Sequence, residues 1–172
     1  MTPAVQIVPF PEAHAHLLWA WLHEFPEQNF DDTCPKTLKE FLKARERTFP
    51  GMRSWEVLHN GAPVGCISHC PAELGAERFC GICFTKSVHG TGVALDATRM
   101  VLERIFKDLK VPAVAAIYFE DNHRVARFLR KLGAGRPARL ENATTRGGQL
   151  IAAEQVLIYR RHFIESRLEV AA

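Results

Sequence analysis

The chain lacks any apolar run of the eighteen or so residues that a membrane-spanning helix needs, so no span is expected. Its first residues, MTPAVQIVPFPEAHAHLL, lack a basic segment followed by an unbroken apolar core. No signal peptide is therefore expected, and a cytoplasmic location is. Internal repeats and low-complexity tracts are absent. Cysteine is sparse and odd in number (Cys34, Cys66, Cys70, Cys80 and Cys83), which argues against a disulfide framework. What remains is an ordinary globular balance, 47% hydrophobic and 24% charged. At 172 residues the chain is long enough for one substantial core, so a single domain over residues 1–172 is expected.

A net charge of +3 conceals an uneven distribution. Residues 121–161 carry nine Lys and Arg against Asp121, Glu141 and Glu154, whereas residues 24–32 carry Glu24, Glu27, Asp31 and Asp32 with no cation. A basic half suits a phosphorylated cofactor or a nucleic acid, or is simply a solvated face. The acidic stretch suits a cationic acceptor, or is an ordinary exposed loop.

Hydrophobic periodicity gives the element order. A strand at 5–8 precedes a helix at 12–23, which Pro26 ends, and a loop over 24–35. A second helix spans 36–47. Strands at 54–59 and 63–69 flank Asn60-Gly61, a strong hairpin signal, and a third strand covers 78–85. The clearest helix, 91–110, carries the stripe Ala94, Ala97, Val101, Ile105 and Leu109. A buried strand at 114–119 and a helix at 123–132, stopped by Gly133, come next. A loop rich in Arg, Gly and Thr, with an optional strand, leads to a last strand at 154–162. A meander followed by helical crossovers predicts a mixed α/β sheet covered by helices.

The stretch FCGICFTKSVHGTGVALD, residues 79–96, admits two kinds of chemistry. Cys80-x2-Cys83 has the spacing of a zinc knuckle or a redox dithiol. In an extended strand, however, residues three apart face opposite ways, and a thioredoxin-type dithiol belongs at a helix start. The cysteines therefore read as small core hydrophobes, and no metal is expected. His89-Gly-Thr-Gly92 lies between a strand and the longest helix. The first amides of a helix lack internal partners and its dipole favours an anion, while glycines at 90 and 92 let a phosphate approach the backbone. Lys86 and His89 would add charge beside it.

Ser87-Val-His-Gly-Thr-Gly92, continued by GVALDATRMVLERIFKDL and AIYFEDNHRVARFLRKLGA, resembles the pyrophosphate loop and following segments of the GNAT N-acetyltransferases. Over residues 79–134 it is most similar to the branch that acetylates ribosomal-protein N-termini, and Gly81 fits that branch too. The resemblance implies a mostly antiparallel sheet of six or seven strands, splayed between strands four and five and flanked by about four helices. It implies acetyl-CoA as co-substrate, with Cys83, Phe84 and Thr85 pairing with pantetheine through their backbones. The amides of Val88, His89, Gly90, Thr91, Gly92 and Val93 would hold the pyrophosphate, and Asn122 would contact the pantetheine arm. Three positions depart from the family: Ser87 stands where Gln or Arg is usual, Ala134 where Phe is usual, and Leu129 where many members have a Tyr.

An acceptor amine must lose a proton, and Glu56 and His69 are the best-placed candidate bases on the central strands. The expected activity is direct acetyl transfer to an amine, either a protein N-terminus or a small polyamine-like molecule. The alternative is a catalytically inactive module of the same fold. Nucleic-acid binding through residues 121–161 is a weaker reading. Homodimer formation is compatible with the apolar strand around Val156 and Ile158.

Overall fold

The computed structural model describes residues 5–164. In chain order these form β1 (Val5–Pro9), a 3-10 turn, α1 (Ala15–Leu22), α2 (Pro26–Asn29), α3 (Leu38–Thr48), β2 (Arg53–His59), β3 (Ala62–Pro71) and β4 (Glu77–Phe84). Then follow α4 (Val93–Arg104), β5 (Ala113–Phe119), α5 (His123–Lys131), β6 (Ala138–Arg146) and β7 (Gln149–Tyr159). All seven strands join one sheet in the order β1-β2-β3-β4-β5-β7-β6. Every neighbouring pair is antiparallel except β4 and β5.

Each face of the sheet has its own apolar cluster. On one, α4 lays Ala97, Val101 and Leu102 against Val57, Ile67, Val114 and Ile158. Ala97, Val101 and Leu102 are fully buried, and a buried Val or Leu is worth about 1.5–3 kcal/mol. Thr98 sits among them without penalty because its hydroxyl donates to the Ala94 carbonyl at 2.7 Å. On the other face, Leu18 and Trp21 of α1 cover Cys66 and Cys83, with Phe41 of α3 packed alongside.

Several boundaries differ from expectation. The long helix begins at Val93, since Gly92 stands before it in the left-handed region at φ 92°. Its last turn is π-helical (Ile105–Leu109) and closes on Lys110, also left-handed at φ 54°. The loop after Pro26 contains the short helix α2. The optional strand is real: β6 and β7 form a hairpin turning at Gly147 and Gly148, whose φ angles are +58° and +75°. It left no apolar alternation because β6 is a mostly exposed edge strand. Val156 and Ile158 are buried, and β5 pairs with β7 along this stretch. Strand β6 pairs with β7 only as far as Gln155, beyond which the Leu157 carbonyl accepts from the Gly135 amide.

Candidate active site

Strands β4 and β5 pair only at Glu77 with Val114 and Arg78 with Ala115, and beyond that they part. Two features drive the separation. From Ala113 to Phe119, β5 is fully paired with β7 on its other edge. Strand β4 carries a bulge, for Ser68 pairs with Gly81 and His69 with Phe79, leaving Cys80 as the extra residue. A bulge bends and twists its strand locally. The gap opens into a cavity of about 390 Å³ between Ile82, Cys83 and Phe84 of β4, the loop before α4, and Asn122, Val125 and Phe128 of α5.

The loop is held open by its own turns. The amides of Val88, His89 and Thr91 donate to the carbonyls of Thr85, Lys86 and Val88, and that of Val93 to the Thr91 hydroxyl at 3.4 Å. The amides of Gly90, Gly92, Ala94 and Leu95 have no partner among the described hydrogen bonds. They cluster at the positive end of α4. Gly90 and Gly92 both have positive φ, and a Cβ on either would meet open space within 4 Å. The backbone is thus bare to the cavity, and a phosphate fits it.

Of the residues expected to hold the cofactor, Cys83, Phe84, Val88, His89, Gly90, Gly92 and Asn122 line this cavity, while Thr85, Thr91 and Val93 do not. Thr85 is committed elsewhere. Its amide donates to Val64, its carbonyl accepts from Val88, and its hydroxyl donates to Glu24 at 3.0 Å. Glu24 also accepts from the Lys86 amide at 2.6 Å, so the end of α1 is clamped to the loop. Asn122 caps α5 by accepting from the Val125 amide. His89 supplies no positive charge: burial, then the nearby Arg124, holds its pKa below the usual imidazole value. Its Nε2 lies 3.2 Å from the Phe84 carbonyl and its Nδ1 3.2 Å from the Arg124 guanidinium, the pattern of a neutral ring protonated at Nε2. The ring stacks on Phe25 at 4.9 Å, and Lys86 and Arg124 both lie over that same phenyl ring. Sequence reasoning missed Phe25, Arg124, Phe128 and Lys131. The last three had a legible signal, the i, i+4, i+7 spacing of one helical face.

A second cavity, of about 980 Å³, lies on the other side of β4, roofed by α1 and α3. Cys83 and Asn29 line both cavities, so the two meet there. Cys80 and Cys83 both line this second space. The expectation that they take opposite faces fails because the bulge at Cys80 breaks the strand's alternation. Burial pushes both thiols well above the usual range, which keeps them protonated and unreactive.

Neither candidate base lines either cavity. Glu56 is buried on the α1 side, beside Cys66 in the register, and lies 2.6 Å from His14. His69 alternates to the opposite face with Ile67, where it lies 2.6 Å from Glu77, both side chains buried. The acidic stretch is largely structural. Besides the Glu24 clamp, Asp31 accepts from Thr33 and from Thr144 of β6, and Asp32 accepts from the amides of Gly147 and Gly148. In the basic region, Arg139 is bound by Glu120 and Glu141, and Arg146 by Asp121 at 2.7 Å.

The family model described as an acetyltransferase (GNAT) domain matches residues 5–135. No curated protein matches the chain. Among solved structures, the spermidine N-acetyltransferase from Vibrio cholerae, in complex with CoA and spermine, superposes with a TM-score of 0.78 at 11% identity, over 93% of this chain and 98% of that one. A candidate acetyltransferase from T. thermophilus gives 0.75 at 23% identity, over 97% and 93%. A candidate phosphinothricin N-acetyltransferase gives 0.73 at 15% identity, over 91% and 98%. At these identities the likeness is one of fold.

Proposed function

The chain belongs to the acetyltransferase (GNAT) domain family, and from that premise we propose that it takes acetyl-CoA into the β4–β5 gap and transfers the acetyl group to an amine in the larger cavity. The observation that carries this reading is the run of unpartnered amides at Gly90, Gly92, Ala94 and Leu95 beside a gap wide enough to admit an extended arm. The amides and the α4 dipole would take the pyrophosphate. On the edge of β4 that β5 leaves unpaired, the backbone of Ile82 and the amide of Phe84 would hydrogen-bond the pantetheine, with Asn122 alongside, the Phe84 carbonyl being taken by His89.

The thioester then lies near Cys83, where the two cavities join. A backbone amide there can polarise its carbonyl. The acceptor nitrogen forms the new C–N bond as the C–S bond breaks. The thiolate leaving with CoA takes up one proton and the amine gives up one. Of the two candidate bases, Glu56 lies on the acceptor face of the sheet but outside the cavity lining, so the proton would reach it through water and the half-exposed His14 that holds it. His69 with Glu77 lies across the sheet and serves structure. Acceptors compatible with the family range from a protein N-terminus, as in the ribosomal-protein branch, to a small amine, and the cytoplasm supplies acetyl-CoA. Among the described residues no helix is long and apolar enough to cross a membrane.

The test is thiol release from acetyl-CoA across a panel of amines, with acetyl-CoA affinity measured in parallel. Amine-dependent release is the expected result. Tight binding without release from any amine would leave an inactive module of the same fold, and no binding at all would end the proposal.

A further inference from the structure

We propose that the acceptor carries an anionic group, a carboxylate or equivalent oxyanion, close to its amine, and that Arg45 on the floor of the larger cavity binds it. This rests on the acetyl-transfer reading and specifies its second substrate. Arg45 reaches from α3 to the sheet, where its Nη2 donates to the Ser54 hydroxyl at 2.9 Å and to the Ser68 hydroxyl at 2.5 Å. The two hydroxyls lie 2.9 Å from one another, so the anchor is a closed triangle.

That arrangement aims the guanidinium but does not neutralise it. Arg45 forms no ion pair among the described residues, and its Nε and Nη1 hydrogens make no hydrogen bond there, although it is half-buried and lines the cavity. A half-desolvated cation with three N–H groups still available makes no direct ion pair, the Glu56 carboxylate on the same face being held by His14 at 2.6 Å, and the planar fork of Arg suits an oxyanion. Lys43 and Arg47 line the same cavity. Of its acids, Asp31 is tied to Thr33 and Thr144, and Glu40 accepts from the Lys36 amide. A polycation would meet a guanidinium where it needs a carboxylate.

The spacing also fits. Ser68 pairs with Gly81, and two residues back Cys66 pairs with Cys83, where the cavities meet. Two residues along a strand is roughly 7 Å. Nothing stands within 4 Å of the place a Gly81 Cβ would occupy, so the floor beside Ser68 is open. A hydrogen bond to the guanidinium takes up about 3 Å of that separation, so an amine near Cys83 and an anion on Arg45 belong to one small molecule with its charge close to its amine.

The experiment has two arms. In the first, kcat/KM is measured for small amino acids, their methyl esters and spermidine, with wild type, Arg45→Gln and Arg45→Lys. We expect acids to exceed their esters at least ten-fold, Arg45→Gln to abolish that preference, and Arg45→Lys to retain part of it. Acetyl-CoA affinity should stay within two-fold in both variants, which also reports that they fold. Equal turnover of esters, better turnover of spermidine, or a preference that survives Arg45→Gln would overturn the proposal. In the second arm, N-acetylglycine is titrated calorimetrically into wild type and Arg45→Gln without CoA. Binding lost in the variant supports the anion subsite even if acetyl-CoA never binds, in which case only the transfer reading falls. No binding to wild type, or equal binding to both, sinks the subsite whatever happens to acetyl-CoA.

Discussion

At the scale of single residues, Gly92 and His89 set the character of the loop. Gly92 holds φ 92° immediately before α4. A side chain there costs about 1–2 kcal/mol in the left-handed region and would stand over the unpartnered amides proposed to hold the pyrophosphate. Gly92→Ala is accordingly expected to lower the urea midpoint and to weaken acetyl-CoA binding at least ten-fold, both read from one ligand titration series. His89 argues a different case. Its folded-state pKa lies below the ordinary value of roughly 6.5, first through burial and then through Arg124. The folded chain therefore resists a proton that the unfolded chain accepts. The associated stability is present above the unfolded pKa and is lost as pH falls through the lower folded value. Below it, a charged Nδ1–H would face the Arg124 donor and the Lys86 ammonium, with the Glu24 carboxylate opposing them. Between pH 7.5 and 5, wild type should lose more stability than His89→Gln. Parallel curves for the two chains would refute the assignment.

At the scale of elements, the bulge at Cys80 and the packing of β3 on β4 decide the site's shape. A Cβ on Gly65 would fall 2.3 Å from the Phe84 ring and 2.7 Å from the Cys83 carbonyl. Gly65→Ala must displace the strand that lines both cavities. We expect a loss of about 1–3 kcal/mol, as for other overpacked cores, together with weaker acetyl-CoA binding. The β6–β7 hairpin is tied to the α2–α3 connection by Asp32, whose pKa is lowered by the Gly148 and Gly147 amides. Asp32→Asn should reduce amide-exchange protection at Gly147 and Gly148 while leaving α4 unchanged. Equal protection in both proteins would mean that the hairpin holds its own turn. These ties explain why an acidic run that looked like bait for a cationic acceptor does something else. The partners, Thr144, Gly147 and Gly148, lie more than a hundred residues away, and linear order could not announce them.

At the scale of the whole molecule, the sheet is two halves joined by a short parallel contact, with the gap beyond it facing the front of α4. A ligand filling that gap bridges the halves and binds only when both are in place. Acetyl-CoA at 100 times its dissociation constant should therefore add about 2.7 kcal/mol and raise Tm accordingly. An unchanged Tm at saturating acetyl-CoA would contradict the cofactor assignment.

Much of this was legible in the sequence. Periodicity placed β1 to β5 and the four longer helices, α1, α3, α4 and α5, to within a few residues, because a helix or strand shows its buried stripe locally, whereas the single turn of α2 is too short to show one. The turn at residues 86–92 was legible because glycines between a strand and a helix mark a tight turn that leaves backbone amides bare, and no distant residue need be known to see it. What only the tertiary structure decided depends on contacts between remote segments. It showed that a bulge turns Cys80 and Cys83 toward one cavity, that Thr85 is committed to Val64 and Glu24, and that Glu56 and His69 sit on opposite faces, the first held by half-exposed His14 and the second by buried Glu77. It also showed that Arg45 reaches Ser54 and Ser68 without a direct ion pair among the described residues. Local propensity fixes which residues can form an element, whereas strand register and the packing of helices across a sheet determine which side chains share a space.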